Sequence, residues 1–437
     1  MHKFVLTALT AVLLGGGAIP PVAAQSVAGA YLAGRHAAVR SDYLEAAAYY
    51  AQALARDPSN IELIESTVLS YLSLGEIDKA LPLARVLNGK HQDNQIARMV
   101  MTAGMAHTDD YEGLLAQNPD TSGIGPWVDG LVKAWALLGK GDKTAAMAAF
   151  DALSKETGMQ GFVLYHKALA LASVGDFAGA EEIFGGAGAG AAGQTRRGVI
   201  AHAEVLAQLD RHEEGVTVIR ASFGSSSDPE LDQLIAALEA REDIPFTHAP
   251  DIKSGIAEVF FTFSAVLKSE SAGDYYVLLY SRVARYLRPD HVDALLLTAD
   301  LLETLGQYDL AIADYSEAIL INPRFYGAYN NRGNAYDEVN QFDKAIADYT
   351  EAINIAPSNS YLYINRGITY ARQNLHTKAI IDYTKAIDID PSFAYVYSLR
   401  GSSYTDKRQY DLAITDLNQA ILIDPNSFPA YNSRGLY

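Results

Sequence analysis

The prolines in the second half of the chain stand at one fixed interval. Five of them are spaced 34 residues apart, and they are Pro289, Pro323, Pro357, Pro391 and Pro425. Because a proline ring fixes φ and removes the backbone N–H, a helix does not continue through it. A fixed period of this kind indicates stacked supersecondary units, so this part of the chain is predicted to form a repeat array and not separate globular domains.

Aromatic and small residues keep the same period. One set recurs at Tyr329, Gly333 and Tyr336, then Tyr363, Gly367 and Tyr370, then Tyr397, Gly401 and Tyr404. A second set recurs at Ala345, Tyr349 and Ala352, then Ala379, Tyr383 and Ala386, then Ala413, Leu417 and Ala420. Spacings of four and three residues place each set on one helical face. Each unit is therefore predicted to be two amphipathic helices that approach closely at the Gly and Ala positions, with tyrosines filling the gaps.

This pattern resembles the tetratricopeptide repeat (TPR). The best matches are YNNRGNAYDEVNQFDKAIADYTEAINIAPS, YINRGITYARQNLHTKAIIDYTKAIDIDPS and YSLRGSSYTDKRQYDLAITDLNQAILIDPN. The resemblance implies an all-α fold, a right-handed α-solenoid of tandem helix-turn-helix units. Regular units fill residues 258–437, and a divergent Ala- and Gly-rich array fills residues 25–229. Residues 230–257, which include Pro245 and Pro250, are predicted to connect the two arrays.

The last repeat is incomplete. After Pro425 a new unit begins with FPAYNSRGLY and stops at Tyr437, before its first helix is finished. Because the terminal repeats of a solenoid normally carry a polar outer face, the sequence is expected to be a fragment of a longer protein.

The first residues have the pattern of a cleavable export signal. Lys3 gives a positive start, residues 4–14 are mostly apolar, and small residues lead up to Ala24. Residues 1–24 are therefore predicted to be a signal peptide cleaved after Ala24. The alternative is an uncleaved anchor, but the apolar stretch is shorter than the roughly 20 residues that span a bilayer. With the resemblance, this predicts an exported bacterial member, periplasmic or secreted, with no transmembrane segment after signal removal.

Charge and residue types narrow the possible functions. The 34 Lys+Arg and 52 Asp+Glu give a formal net charge of −18, which disfavours binding to a phosphate backbone, so no nucleic-acid partner is expected. The absence of cysteine excludes disulfides, thiol nucleophiles and cysteine-based zinc sites. The histidines stand singly, without metal-ligand spacing, and no Gly-x-Ser-x-Gly elbow occurs. We therefore predict that the protein is not an enzyme and has no catalytic, metal-binding or cofactor-binding residues.

One arginine and one aspartate recur in each regular unit. The arginines are Arg332, Arg366, Arg400 and Arg434, and the aspartates are Asp348, Asp382 and Asp416. One interpretation is a ladder of ion pairs between helices that sets the repeat geometry. The other is direct contact between the arginines and a bound partner.

The resemblance also implies a binding surface. In this family the first helices of successive units line a concave groove that takes extended peptides or partner helices. The residues predicted to contact a partner there are Asn331, Asn334, Glu338, Tyr361, Asn365, Arg372, Tyr395 and Asp406. A groove rich in Asn and Tyr suits hydrogen bonds to a peptide backbone or a glycan. A terminal carboxylate is not expected as the ligand, because Asn330, Tyr395 and Leu399 replace cations of the relatives that clamp one.

Taken together, these features predict a non-catalytic interaction scaffold or adaptor of the cell envelope. Its expected partner is a protein or a peptide, whose identity the residues do not specify. Two alternatives remain open: the recognition portion of a larger enzyme, and an envelope factor that binds glycan or peptidoglycan.

Overall fold

The computed structural model describes residues 26–91, 93–117, 123–156, 158–186, 190–224, 229–270, 273–426 and 431. Within these ranges the chain is an all-α solenoid, and the backbone contains helices and connecting turns but no strand. The predicted signal peptide, residues 1–24, lies outside the described residues, as does Arg434.

The backbone divides into two compact units. Counting the described residues alone, the first lies within residues 1–108 and 118–126, and the second lies within residues 109–117 and 127–437. The helices of the first unit are α1 (Val27–Val39), α2 (Tyr43–Leu54), α3 (Ile61–Leu74), α4 (Ile77–Lys90) and α5 (Gln95–His107).

In the first unit, polar caps account for where two helices begin, and a glycine allows two helices to pack closely. The side chains of Asp42 and Asn60 accept hydrogen bonds from backbone N–H groups in the first turns of α2 and α3, at 3.1 and 3.2 Å. Such caps satisfy N–H groups that have no partner inside the helix. Gly34 on α1 packs against the ring of Tyr50 on α2, in the same relationship as the glycine and tyrosine of the regular repeats.

The second unit begins with helices of less regular length. They are α6 (Tyr111–Ala116), α7 (Pro126–Gly139), α8 (Lys143–Leu153), α9 (Gln160–Ser173), α10 (Phe177–Phe184), α11 (Gly190–Gly193), α12 (Arg196–Gln208), α13 (His212–Phe223) and α14 (Pro229–Glu239). The aspartates Asp142 and Asp176 cap α8 and α10, with N–H to carboxylate distances of 2.9 and 3.0 Å. Helix α6 has only 6 residues.

The segment predicted as a connector, residues 230–257, is helical at both ends. Helix α14 occupies its start, and the non-helical part is confined to residues 240–251, where both prolines stand. This stretch is tied to α12, because Glu204 accepts hydrogen bonds from the hydroxyl and the N–H of Thr247, at 2.6 and 2.9 Å. Glu204 also pairs with the ring of His248 at 3.0 Å.

The remaining helices of the second unit form the regular array of helix pairs. They are α15 (Ile252–Ser269), α16 (Asp274–Leu287), α17 (Val292–Thr304), α18 (Tyr308–Ile321), α19 (Tyr326–Glu338), α20 (Phe342–Ile355), α21 (Ser360–Arg372), α22 (His376–Ile389), α23 (Ala394–Asp406) and α24 (Tyr410–Ile423). The odd-numbered members are the first helices of their units, and the even-numbered members are the second helices. Over the described residues, no helix has the length and apolarity that crossing a membrane requires.

The turn within each unit contains a residue in the left-handed backbone region. In four successive units this residue has φ between 60 and 73° and is Gly306, Asn340, Asn374 or Arg408. Glycine and asparagine adopt this conformation more readily than other residues. At the other end of the unit, the hydroxyl of Tyr363 donates to the carbonyl of Pro357 at 3.1 Å. The predicted helix-turn-helix units and their proline-containing junctions are therefore confirmed.

The recurring glycines permit close helix packing, as predicted. A Cβ added to Gly333 would lie 2.8 Å from the ring of Tyr349, and one added to Gly367 would lie 2.6 Å from the ring of Tyr383. The tyrosine rings thus fill the space that glycine leaves open between the two helices of a unit.

A buried carboxylate links several helices of the second unit. Glu258, in α15, is fully buried and accepts hydrogen bonds from Arg197 at 3.1 and 2.7 Å and from Tyr165 at 3.0 Å. The ring of His291 lies 3.2 Å from the same carboxylate. Burial alone would raise the pKa of Glu258, but Arg197 and His291 outweigh it and hold that pKa well below its usual range. This ion pair therefore fixes α15 against α9, α12 and the start of α17.

Candidate binding groove

The first helices of successive regular units lie along the inside of the array. Helices α17, α19, α21 and α23 approach their neighbours of the same kind more closely than the second helices approach theirs. The first helices therefore lie on the concave side. We call the exposed surface of these four helices the inner face.

Polar contacts join α19 to α21 across the inner face. The amide of Asn365 donates to Asn330 at 2.9 Å, and the amide of Asn330 donates to Asn331 at 3.1 Å. Further along, Asp337 accepts from the hydroxyl of Thr369 at 2.8 Å and also binds Arg372. Two of the predicted contact residues, Asn365 and Arg372, are thus already engaged between helices.

In two helix pairs, the tyrosine packed between the helices also reaches the inner face. The hydroxyl of Tyr349 donates to Asn334 at 2.8 Å, and the hydroxyl of Tyr315 donates to Glu303 at 3.1 Å. A side-chain amide has both a carbonyl and an NH₂ group, so Asn334 uses only part of its capacity in this contact.

Three rings form a continuous aromatic cluster at the start of α21 and α23. Tyr361 is 61% exposed and Tyr395 is 46% exposed, and both were predicted as contact residues. The ring of Phe393 lies between them, with centroid separations of 5.5 Å from Tyr361 and 6.3 Å from Tyr395. Tyr361 and Asn365 are four residues apart and share a helix face, so the aromatic cluster borders the row of amides.

Carboxylates occupy the part of the inner face formed by α17 and α19. Glu338 is exposed, Glu303 is partly buried, and Asp300 binds Lys268. Burial raises the pKa of Glu303, and the negative charges of Asp300 and Glu338 raise it further. We call these three residues the acidic patch. Of the remaining predicted residues, Asp406 lies 3.5 Å from the ring of His376 at the far end of the array.

Sequence reasoning missed Phe393, Glu303 and Asp337. Phe393 precedes the first residue of α23, where the preceding repeat has Asn359, so no period drew attention to it. Glu303 lies in the repeat before the three best matches, and no single residue type recurs at its position, which holds Asp337, Ala371 and Thr405 in the later repeats. The hydrogen bonds that Asp337 accepts from Thr369 and Arg372 depend on how α19 and α21 pack, which the sequence of one helix does not reveal.

The predicted ladder of arginine–aspartate pairs is confirmed for the three described arginines. Arg332 binds Asp348 through two hydrogen bonds of 2.7 Å, and Arg400 binds Asp416 through two of 2.8 Å. The same guanidinium also donates to a hydroxyl on the preceding second helix, as Arg332 does to Ser316 at 2.9 Å. Each arginine therefore joins three consecutive helices.

The first arginine–aspartate pair of the regular array has its arginine on a second helix and not on a first helix. Asp314 occupies the position of Asp348 one repeat earlier, but its partner is Arg282 on α16, at 3.0 Å. Arg282 stands one period before Ser316, while Thr298 stands one period before Arg332. Arginine and hydroxyl have exchanged positions here, and the buried carboxylate is neutralised from the opposite side.

Within the part of the chain that the structure describes, no group of three or more His, Asp and Glu side chains is placed to hold a metal ion. The inner face offers hydrogen-bonding amides, carboxylates and exposed rings. Such a surface can hold a ligand by contacts along its length.

Family models agree with the repeat boundaries seen in the structure. Models described as tetratricopeptide repeat or TPR repeat match residues 31–94, 299–339, 326–359, 360–393 and 394–427. The chain is a tetratricopeptide repeat protein. These matches place TPR units in both compact units of the protein.

Several solved structures align with part of this chain. MamA from Desulfovibrio magneticus RS-1 aligns with 39% of this chain and 97% of its own, at 17% identity and a TM-score of 0.37. YrrB, described as a TPR protein with an unusual peptide-binding site, aligns with 41% of this chain and 92% of its own, at 17% identity and a TM-score of 0.37. The first TPR domain of Spaghetti, bound to an HSP90 peptide, aligns with 25% and 88%, at 27% identity and a TM-score of 0.25. No curated protein has a sequence that matches this TPR protein.

Proposed function

We propose that this TPR protein is a non-catalytic interaction scaffold of the cell envelope that binds an extended peptide or partner segment on its inner face. The observation that supports this most is the aromatic cluster. Large rings are normally buried, and an exposed group of them beside free hydrogen-bonding capacity indicates an interaction site. The rings of Tyr361 and Tyr395 give contact area at low cost in conformational entropy.

The amides support an extended ligand. Asn330, Asn331, Asn334 and Asn365 lie on adjacent first helices, and each keeps hydrogen-bonding groups beyond those used in the contacts described above. An extended peptide presents N–H and C=O groups along its length, which such a row of amides would bind without requiring one particular side chain.

The location in the envelope rests on residues 1–24. Fusion of residues 1–30 to a reporter enzyme that is active only after export tests it in a bacterial host. Reporter activity is expected, and a control that replaces Lys3 with Glu and residues Leu13 and Leu14 with Arg abolishes it. An inactive wild-type fusion that is nevertheless expressed would contradict export.

Binding through the inner face is tested by affinity capture with residues 25–437 from the envelope fraction of the source. Tyr361→Ala combined with Asn365→Ala serves as the inner-face variant. Ile381→Ala, on second helix α22 and 63% exposed, serves as the matched control. Proteins recovered by wild type and control but lost with the inner-face variant are the expected result. Identical recovery by all three would refute an inner-face function.

The aromatic cluster also favours a second ligand class. Flat rings with hydroxyl tips stack on sugars as well as on peptides, so peptidoglycan fragments are the alternative ligand. Retention of muropeptides by the wild type, lost in Tyr361→Ala, would favour this glycan function over the peptide one. Absence of retention would leave the peptide function as the better supported.

A further inference from the structure

The carboxylates of the inner face are not neutralised evenly. Asp300 has Lys268 as its partner, and Asp337 has Arg372. Among the described residues, Glu338 is exposed and has no ion-pair partner, and Glu303 accepts its hydrogen bond from the uncharged hydroxyl of Tyr315. The two glutamates therefore carry negative charge that the described part of the chain does not balance.

This arrangement has an energetic cost in the free protein. Like charges at short range repel, and partial burial of Glu303 strengthens that repulsion by lowering the local dielectric constant. A cation from a ligand would remove the cost, so binding it would gain both the new attraction and the relief of the repulsion.

The cations on the inner face and beside it are already bound to carboxylates. The guanidinium of Arg372 is bound to Asp337 and also lies over the ring of Phe342, 5.0 Å from its centroid. Lys268 is bound to Asp300. An anionic ligand would have to break one of these pairs and would also meet Glu303 and Glu338.

The two ends of the inner face therefore differ chemically. The acidic patch lies on α17 and α19, and the aromatic cluster lies at the start of α21 and α23. Between them, Asn330, Asn331 and Asn365 form the hydrogen-bonded chain that spans α19 and α21. A ligand that lies along all three regions contacts carboxylates first, then amides and then exposed rings.

We propose that the inner face selects an extended segment with a lysine or arginine, which binds at the acidic patch, and an apolar residue, which packs on the aromatic cluster. This inference rests on the proposed peptide-binding function and names its ligand class. The charge complementarity that favours a basic segment also sets the order of its residues along the inner face, because the two ends bind different side chains.

Selection from random dodecapeptides displayed on phage tests this inference with residues 25–437 as the target. The most enriched sequence is then synthesised with both termini blocked, labelled with a fluorophore and measured by anisotropy. Glu303→Gln combined with Glu338→Gln removes the charge and retains the shape of both side chains. Glu351→Gln, an exposed glutamate on second helix α20, is the matched control.

The expected result is a selected pool rich in Lys and Arg, whose representative loses affinity about tenfold with the double glutamine variant and with rising salt. The control is expected to bind as the wild type does. A pool without a basic excess, or an affinity that the double variant leaves unchanged, would overturn the inference. In either of those cases, loss of binding of the selected peptides by Tyr361→Ala would leave the proposed peptide-binding function standing. If no selected peptide depends on Tyr361, both the inference and the proposed function are overturned.

Discussion

The guanidinium of Arg366 binds the carboxylate of Asp382 through two hydrogen bonds, 2.9 Å from Nε to Oδ2 and 2.8 Å from Nη2 to Oδ1. Its remaining terminal nitrogen donates to the hydroxyl of Thr350 at 3.0 Å. One side chain on first helix α21 thereby joins the second helices on either side of it. Because this contact recurs with the repeat, it sets the distance between successive units.

Removal of this guanidinium is expected to destabilise the array. Asp382 is 4% exposed, so Arg366→Ala leaves a buried carboxylate without a cation and should lower the free energy of unfolding by about 3 kcal/mol. Arg366→Met combined with Asp382→Leu should recover most of the loss, because no buried charge then remains unpaired. Urea denaturation followed by circular dichroism measures both. An equal loss in the single and double variants would contradict the pairing.

The pair of Arg282 and Asp314, whose arginine lies on a second helix, gives a second prediction. Arg282→Thr should cost about 2 kcal/mol, less than Arg366→Ala, because Arg285 also binds Asp314. Adding Thr298→Arg rebuilds the arrangement of the later units and should restore at least half of that loss. Thr298→Arg alone is the control and should not stabilise, since Arg282 already occupies the carboxylate. Failure of the double variant to recover would show that the two arrangements are not equivalent.

The recurring glycine gives a third prediction with an internal control. Gly367→Ala places a Cβ 2.6 Å from the Tyr383 ring and should destabilise by about 2 kcal/mol. At the equivalent Gly401 the nearest atoms to an added Cβ are Cγ of Leu417 at 3.2 Å and the carbonyl oxygen of Ala413 at 3.3 Å, so the overlap is smaller and a shift of a few tenths of an ångström relieves it. Gly401→Ala should change stability by less than about 1 kcal/mol, because alanine favours helix formation over glycine by about that amount. Equal thermal midpoints for the two variants would contradict this packing argument.

Stability at acid pH should depend on His166. This ring is fully buried, and burial lowers the pKa of His166 to about 4, whereas in the unfolded chain it is about 6.5. Between these values the unfolded state binds a proton that the folded state does not, so stability falls as the pH falls, by about 3 kcal/mol over the window. His166→Phe keeps an aromatic ring beside Phe162 and Tyr165 and should remove that part of the loss. Urea denaturation at pH 7 and pH 4 measures it, and parallel losses in both proteins would refute the assignment.

Much of the regular array follows from its period. The 34-residue period of the recurring residues predicts the two helices and the tight approach at Gly333 and Gly367, and it gives the pairing of Arg366 with Asp382 as one of two interpretations. Each of these contacts joins residues about 16 apart within one unit, so repetition in the sequence reveals them.

Contacts between distant or altered units could not be predicted in this way. Glu258 binds Arg197 and Tyr165, which are 61 and 93 residues away and lie in repeats of different length. The pairing of Arg282 with Asp314 was hidden because the arginine and the hydroxyl had exchanged helices. On the inner face, the hydrogen bond between Asn330 and Asn365 depends on the distance between two first helices, which the period does not specify.

The most direct test of an inner-face ligand is the dissociation constant of one labelled, phage-selected peptide for three proteins. These are the wild type, Tyr361→Ala and Ile381→Ala, in which the two altered side chains are 61% and 63% exposed. Tyr361→Ala is expected to weaken binding by at least about fivefold at an unchanged thermal midpoint, because it removes the more exposed of the two tyrosine rings of the aromatic cluster. Ile381→Ala is expected to bind as the wild type does. Equal binding by Tyr361→Ala and the wild type would contradict a functional inner face.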